Sequence, residues 1–392
     1  MLKQTFDNTA IAKVLTPEDV WRWNLWSKPE EKEGAIEALE NSIQAKNFNI
    51  SALKLEKRRG KTTYQANNIE DAITIRLLDR YIRRIYKVRQ SDRNRVIRQV
   101  KTVLRDSGHY TVMRLDIKQC YESIDFEASI KRLEKDMILA PSCIRLLNSI
   151  SSFCKKKKLK GLPRGLAIST TLAELYLEEI DKHIKVEEGF IYATRYVDDF
   201  FILIDRTKEK ELKENLKQKF NEIGLSLNDE SHKKYIGFSQ DAKFDYLGYN
   251  ISVKYVKDGE NEVTLTISKK KLDKIKQKVA ISLNEHKKTP DLNLLKQRLT
   301  YLTVLKVIKK NDNGALLGGL AYNYSYVSDE FKCLKTIDVF LMNMKNQSRF
   351  SFNNTEKEML SKISFYSSVS KKKQGKYTRR KAAKISRVWK NA

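Results

Sequence analysis

The run FIYATRYVDDFFILI at 190–204 constrains this chain more than any other feature: two apolar segments flank the pair Asp198–Asp199. Apolar runs of strand length, rich in β-branched and aromatic residues and broken by a short polar turn, predict a β-hairpin. An Asp pair in a turn is ordinary by itself, because Asp favours turns. Here a second alternating segment, VMRLDI at 112–117, carries Asp116 at its end, 82 positions upstream of Asp198. If these strands lie side by side, three carboxylates meet at one edge of a sheet. Such charges repel and do not all stay ionised without cations. Mg²⁺ is a hard ion that prefers oxygen ligands and keeps coordination sites for phosphate oxygens. Asp116, Asp198 and Asp199 are therefore candidate ligands for two Mg²⁺ ions serving in-line phosphoryl transfer.

Around this edge the pattern alternates between helices and hairpins. Residues 1–53 read as helical and amphipathic, with Trp21, Trp23 and Trp26 close together. That cluster is expected to be core or a packing arm rather than a base-stacking platform. KKKKLKGLPRG at 155–165 is a basic loop punctuated by Gly and Pro. It leads into a helix with Leu172, Leu175, Tyr176 and Ile180 on one face. A further amphipathic helix carries Leu212, Leu216, Phe220 and Ile223, with Gly224 at its C-terminal end. The stretch from Phe244 to Ser268 predicts a second hairpin around Asp258–Gly259. From Ser268 onward the chain reads mostly helical. Ser268 is placed to cap a helix with Leu272, Ile275, Val279 and Leu283 on its face, and Pro290 stops it.

Charge points to the class of partner. The 77 Lys and Arg outnumber 49 Asp and Glu, a formal net charge of +28. Such an excess favours a polyanion, because each neutralised phosphate releases counterions. Arg80 to Arg105 holds ten basic residues and one acid, Asp92. Lys371 to Ala392 holds ten basic residues and no acid, and composition predicts that this tail is disordered or ordered only on its partner. The four cysteines show no C-x-x-C spacing, so neither a zinc site nor a disulfide framework is expected. The N-terminus lacks the apolar stretch of a signal peptide, and FFILI at 200–204 is too short to span a membrane. A soluble, cytoplasmic protein is expected.

Taken in order, the motifs resemble those of the reverse transcriptases over roughly residues 54–290. Arg114 to Tyr121 (RLDIKQCY) looks like the first palm motif, and Gly161–Leu162–Pro163–Arg164–Gly165 followed by Ser169 like the second. Tyr196–Val197–Asp198–Asp199 matches the Y-x-D-D box. Leu227–Asn228 with Lys233 or Lys234 resembles the fourth motif, and Phe244 to Tyr249 the primer grip. The resemblance implies an α+β right-hand polymerase fold. An N-terminal helical arm would occupy 1–53, fingers 54–110, and a palm with an antiparallel sheet 111–255. Thumb and helical C-terminal region would occupy 256–345 and a basic tail 346–392. By the same resemblance Asp116 and Asp198 ligate both metals, Asp199 assists, and the backbone carbonyl of Ile117 is a further ligand. Tyr121 stands where the family places an aromatic gate against a 2′-hydroxyl, which implies deoxynucleotide substrates. Arg164 replaces a frequent Gln and is a candidate contact for triphosphate or sugar. Lys87, Arg89, Arg93 and Arg95 are candidates for the triphosphate, Arg89 first. Tyr246, Leu247 and Gly248 would grip the primer.

No RNase H or integrase domain is expected beside the thumb, and the sequence lacks the zinc-type endonuclease motif and the N-A-x-x-H and V-T-G boxes of other lineages. GLPRGLAISTTLAELYLEEID looks most like the bacterial antiviral-defence enzymes of the abortive-infection and unknown-group type. The leading expectation is an RNA-directed DNA polymerase that copies a dedicated structured non-coding RNA in phage defence, with an oligomer possible. Template-independent or protein-primed synthesis, for which Tyr322, Tyr324 and Tyr326 offer hydroxyls, is the second. An inactive nucleic-acid-binding module is the third.

Overall fold

The computed structural model describes the chain except residues 1–2, 51, 59, 312–313 and 390–392. Its elements begin with α1 (Asn8–Val14), α2 (Pro17–Trp23) and α3 (Lys32–Gln44). The hairpin β1 (Leu53–Arg58) and β2 (Lys61–Ala66) follows, then α4 (Ile69–Ile85) and α5 (Arg93–Val103). Next come β3 (Tyr110–Asp116), α6 (Cys120–Ser123), α7 (Phe126–Lys135), α8 (Pro141–Lys156) and α9 (Ala167–Val186). The hairpin β4 (Phe190–Tyr196) and β5 (Asp199–Asp205) leads into α10 (Glu209–Glu222). After it run β6 (Tyr235–Phe238), β7 (Lys243–Tyr246), β8 (Tyr249–Lys254), β9 (Glu262–Ile267), α11 (Lys269–Lys288) and α12 (Leu292–Thr303). The chain continues through β10 (Leu305–Asn311), β11 (Gly314–Gly318), α13 (Leu320–Asn323), α14 (Lys335–Lys345) and α15 (Asn354–Ser361). It ends with α16 (Phe365–Ser370), β12 (Gln374–Lys376) and α17 (Arg379–Ser386). The class is α+β, as the sequence implies.

Two compact units divide the chain, and each is built from two segments. The first holds Met1–Ser91 and Leu115–Lys234; the second holds Asp92–Arg114 and Tyr235–Ala392. Strand β3 therefore passes from one to the other between Arg114 and Leu115.

In the first unit α4 is the central helix. Asn68 caps it by accepting from the Asp71 N–H, and its buried face includes Ile73, Leu77, Leu78 and Ile82. Helices α1, α3 and α9 pack against it. On α9, Leu172, Leu175 and Ile180 are buried as the 3.6-residue period predicts, while Tyr176 donates its hydroxyl to the Ile223 carbonyl. Strand β5 buries Phe200 to Ile204 completely, and α10 turns Leu212, Leu216 and Phe220 inward. Burial of such side chains is worth about 1.5–3 kcal/mol each, so the carboxylates at the hairpin turn stand on a rigid base. The tryptophan cluster behaves otherwise than expected. Trp21 is 82% exposed, and Trp23 and Trp26 are half-buried. Helix α2 is fixed instead through Asp19, which is buried and holds the Arg76 guanidinium at 2.6 and 2.7 Å.

In the second unit β6 pairs antiparallel with β3 over Thr111–Arg114, and β7, β8 and β9 form a meander. The hairpin expected around Asp258–Gly259 is β8–β9. Helix α11 carries Ile275, Val279 and Leu283 inward and ends before Pro290; Ser268 occupies its N-cap position without a side-chain cap bond. The mostly helical reading beyond Ser268 fails at two places. Residues 305–318 form the β10–β11 hairpin, to which β12 adds in parallel. LKVIKKN there carries adjacent β-branched residues, which favour a strand over a helix. The tail is also ordered through Trp389. Ile385 and Trp389 are buried, and the Trp389 indole N–H donates to the Lys278 carbonyl and to Ser282 Oγ, both at 3.1 Å. Composition counts the tail's charges and misses Ile385 and Trp389, which with the pairing of β12 to β10 and the Tyr377–Tyr301 ring contact dock it.

Candidate active site

The acids are set by the junction of β3 with the β4–β5 hairpin. Tyr196 pairs with Asp199, so Val197 and Asp198 form a two-residue loop. The Ile117 N–H donates to the Asp198 carbonyl at 3.3 Å, which brings the end of β3 to that loop. On the other side Asn228 N–H donates to the Asp116 carbonyl at 2.8 Å and Lys118 N–H to the Ser226 carbonyl at 2.9 Å. Asp116 is buried; its Oδ2 accepts from Asn228 Nδ2 at 3.3 Å and from Lys233 Nζ at 3.1 Å. Burial, and then the neighbouring Asp116 charge, push the Asp198 carboxyl above the usual range. The two carboxylates are thus close enough to repel. Asp199 begins β5 on the far side of the turn, half-buried.

Among the described residues no three His, Cys, Asp or Glu side chains are gathered closely enough to hold a metal ion. The assembled part of the expected set is the pair Asp116–Asp198, with Asp199 one residue on. The donors are nonetheless of the right kind. Two repelling carboxylates, with a lysine ammonium already drawn onto one of them, form a site suited to a hard cation.

Beside the acids lies Tyr121, half-buried, its hydroxyl 3.3 Å from Thr170 Oγ1. The Arg164 guanidinium is 4.6 Å from the Tyr121 ring centroid and forms a forked pair with Glu122 at 3.1 Å. The GLPRG segment is pressed onto this corner. Leu162 N–H donates to the Tyr121 carbonyl at 2.7 Å, and a Cβ on Gly161 would lie 2.2 Å from that same oxygen. Gly161 also has φ +73°, so no other residue fits there. The Arg164 carbonyl accepts from Tyr64 N–H at 2.7 Å, which ties strand β2 to the same corner.

The basic candidates separate. Lys87 and Arg89 line a cavity of about 320 Å³ together with Glu174, Glu178, Asp181, Lys185 and Arg195, grouped with these carboxylates rather than with Asp116 and Tyr121. Arg93 and Arg95 belong to the second unit. There the Arg93 Nε donates to the Leu247 carbonyl at 3.1 Å, and its guanidinium lies 5.1 Å from the rings of both Tyr249 and Tyr324. Leu247 and Gly248 form the two-residue turn between β7 and β8, with φ +47° and +82°. Tyr246 is buried under that turn. Tyr324 is buried as well, whereas Tyr322 is 36% exposed.

Sequence reading overlooked Arg195. It is 8% exposed and donates to Asp181 at 3.0 and 2.6 Å and to the Val197 carbonyl at 2.8 Å; Glu174 lies 2.9 Å away. Burial opposes its charge, but Asp181 and Glu174 outweigh burial and hold its pKa above the ordinary value. Val197 has φ +59°, a conformation that costs a β-branched residue about 1–3 kcal/mol. The available signal was the one charged residue in the strand FIYATRY.

Among the described residues no helix is long and apolar enough to cross a membrane, and the cysteines Cys120, Cys143, Cys154 and Cys333 are free thiols.

No curated protein matches the chain. Among solved structures, the apo telomerase of Candida tropicalis aligns with a TM-score of 0.34 and 14% identity, over 45% of this chain and 38% of that one. Residues 63–251 match the family model described as "Reverse transcriptase (RNA-dependent DNA polymerase)". That span takes in Asp116, Tyr121, Arg164, Asp198, Asp199 and Tyr246 to Gly248, and it is a reverse transcriptase domain, the nucleotidyltransferase domain of RNA-directed DNA polymerases.

Proposed function

We propose that the chain copies RNA into DNA by metal-assisted nucleotidyl transfer at Asp116, Asp198 and Asp199. The observation that carries this reading is the Asp116–Asp198 pair, joined through the Ile117–Asp198 backbone bond inside the matched domain and already holding the Lys233 ammonium. Two Mg²⁺ ions bound to these aspartates and the Ile117 carbonyl would activate the attacking hydroxyl and neutralise charge on the leaving pyrophosphate. The residues themselves do the positioning. Tyr121 closes the space under the sugar against a 2′-hydroxyl, and Arg164 holds the ring from above. Tyr246, Leu247 and Gly248 grip the primer.

In this reading residues 54–110 act as fingers, 111–255 as palm and 256–345 as thumb. The template is a structured RNA of a defence system, held by its phosphates and 2′-hydroxyls. Support for the defence role is the sequence resemblance around GLPRGLAISTTLAELYLEEID. The exposed basic residues of 371–389 would add backbone affinity.

Wild type and Asp198→Ala, each purified with its RNA, should be given labelled dNTPs and Mg²⁺. Incorporation by the wild type alone is expected. Equal incorporation by both, or none in either with varied primers, sinks the reading. Sequencing the product identifies a template and separates templated from untemplated or protein-primed synthesis.

A further inference from the structure

The two-residue loop Val197–Asp198 places a left-handed residue at its first position, where hairpins of this kind favour glycine. Valine is among the least suited residues there, and nothing in its own chemistry holds it. Arg195 supplies the hold. Its Nη1 reaches the Val197 carbonyl, whose peptide plane continues into Asp198. The guanidinium cannot swing away, because Asp181 grips it with two oxygens, Glu174 with one, and Phe200 lies 5.7 Å beneath it. Those two acids stand on α9, so the loop is referred to a long buried helix rather than to its own strands.

We propose that Arg195 is a positioning residue of the catalytic turn, holding Val197 left-handed so that Asp198 meets Asp116. The inference rests on the polymerase reading for its activity arm only. A planar guanidinium serves a forked carboxylate, a second carboxylate and a carbonyl at once, whereas a lysine ammonium is a point charge with no such fork. A positioning error near 1 Å at a reacting group costs about a hundredfold in rate. The competing role for Arg195, charge balance for Glu174 and Asp181, predicts no coupling to the conformation of residue 197.

The test uses the full chain. Arg195→Met alone strands the buried Glu174 and the half-buried Asp181, so it is made together with Glu174→Gln and Asp181→Asn, and Arg195→Lys is made alongside. Each is made with and without Val197→Gly, which removes the strain. Circular dichroism and melting identify folded variants; Mn²⁺ affinity is read by electron paramagnetic resonance without nucleotide, and dNTP incorporation gives kcat and KM. The Met triple variant should lose at least about fivefold in Mn²⁺ affinity and about fiftyfold in kcat, with KM within about threefold. Arg195→Lys should fall between. Adding Val197→Gly should restore about tenfold of the kcat loss and most of the Mn²⁺ affinity. Unchanged Mn²⁺ affinity in the triple variant, or failure of Val197→Gly to restore it, overturns the inference. If the triple variant does not fold, Arg195→Lys with and without Val197→Gly decides by the same criterion. A wild type that binds Mn²⁺ but incorporates nothing defeats the polymerase reading alone, and the Mn²⁺ arm still decides the role of Arg195.

Discussion

The Lys233 ammonium lies 3.1 Å from Asp116 Oδ2, the oxygen that also accepts from Asn228 Nδ2. A lysine thus occupies the charge position for which the proposed metal ion would compete. Removing it with Lys233→Met leaves the repulsion of Asp116 and Asp198 less relieved, so the metal-free protein should melt lower. Added Mg²⁺ should then stabilise the variant by about 1 kcal/mol more than the wild type, about 2–4 °C in melting temperature. Scanning fluorimetry with and without Mg²⁺ measures this, and an equal Mg²⁺ shift in both proteins contradicts it.

The Tyr121 ring, under the Arg164 guanidinium, should set sugar selectivity. Tyr121→Ala is expected to lower the ratio of kcat/KM for dNTP over rNTP by about tenfold or more, roughly 1.4 kcal/mol. The change should come from improved use of rNTP. An unchanged ratio removes Tyr121 from the gate.

Asp71 offers a pH test away from the chemistry. It is buried, and burial first, then the Glu70 charge, push its carboxyl up to about 6. A raised carboxyl pKa means that the folded state binds the proton more tightly than the unfolded state. Its stabilising effect is present below about pH 4 and is lost as pH rises through about 6. Asp71→Asn should therefore stabilise the protein at pH 7.5, by on the order of 2 kcal/mol, and do little at pH 4. Equal effects at the two pH values would refute the burial account.

The ordered tail predicts a stability cost where its composition suggests none. Trp389→Ala should destabilise by about 3–5 kcal/mol, and protection of amides in 379–386 should fall in hydrogen exchange. A silent Trp389→Ala would return the tail to the disordered class.

How much of this was legible depends on whether a local pattern carried it. The hairpin was readable because apolar runs flank the Asp pair, but its turn was read at Asp198–Asp199, whereas Tyr196 pairs with Asp199 and the loop is Val197–Asp198. The strand that ends at Asp116 was readable from the alternation along VMRLDI, while Tyr121 was singled out only by the family resemblance. Lys233 was narrowed to one of two lysines, and only the fold chose between them. The contacts of Arg93 were not legible, since its partners Leu247, Tyr249 and Tyr324 are all more than 150 positions away. Arg195 escaped for a similar reason. Its partners Glu174 and Asp181 read as the polar side of α9, and no local period shows that this side is covered. The tail was misjudged because charge was counted and the two apolar anchors were not.

The passage of β3 from one unit to the other between Arg114 and Leu115 bears on heredity as much as on architecture. Neither unit is a contiguous stretch of gene. No single truncation isolates one of them, and no fusion at either terminus could have appended one to a pre-existing other. Recombination that exchanged the region after Lys234 would leave the second unit without Asp92–Arg114, the segment whose strand β6 must pair with. Chimeras with relatives are expected to survive only when both crossovers are matched.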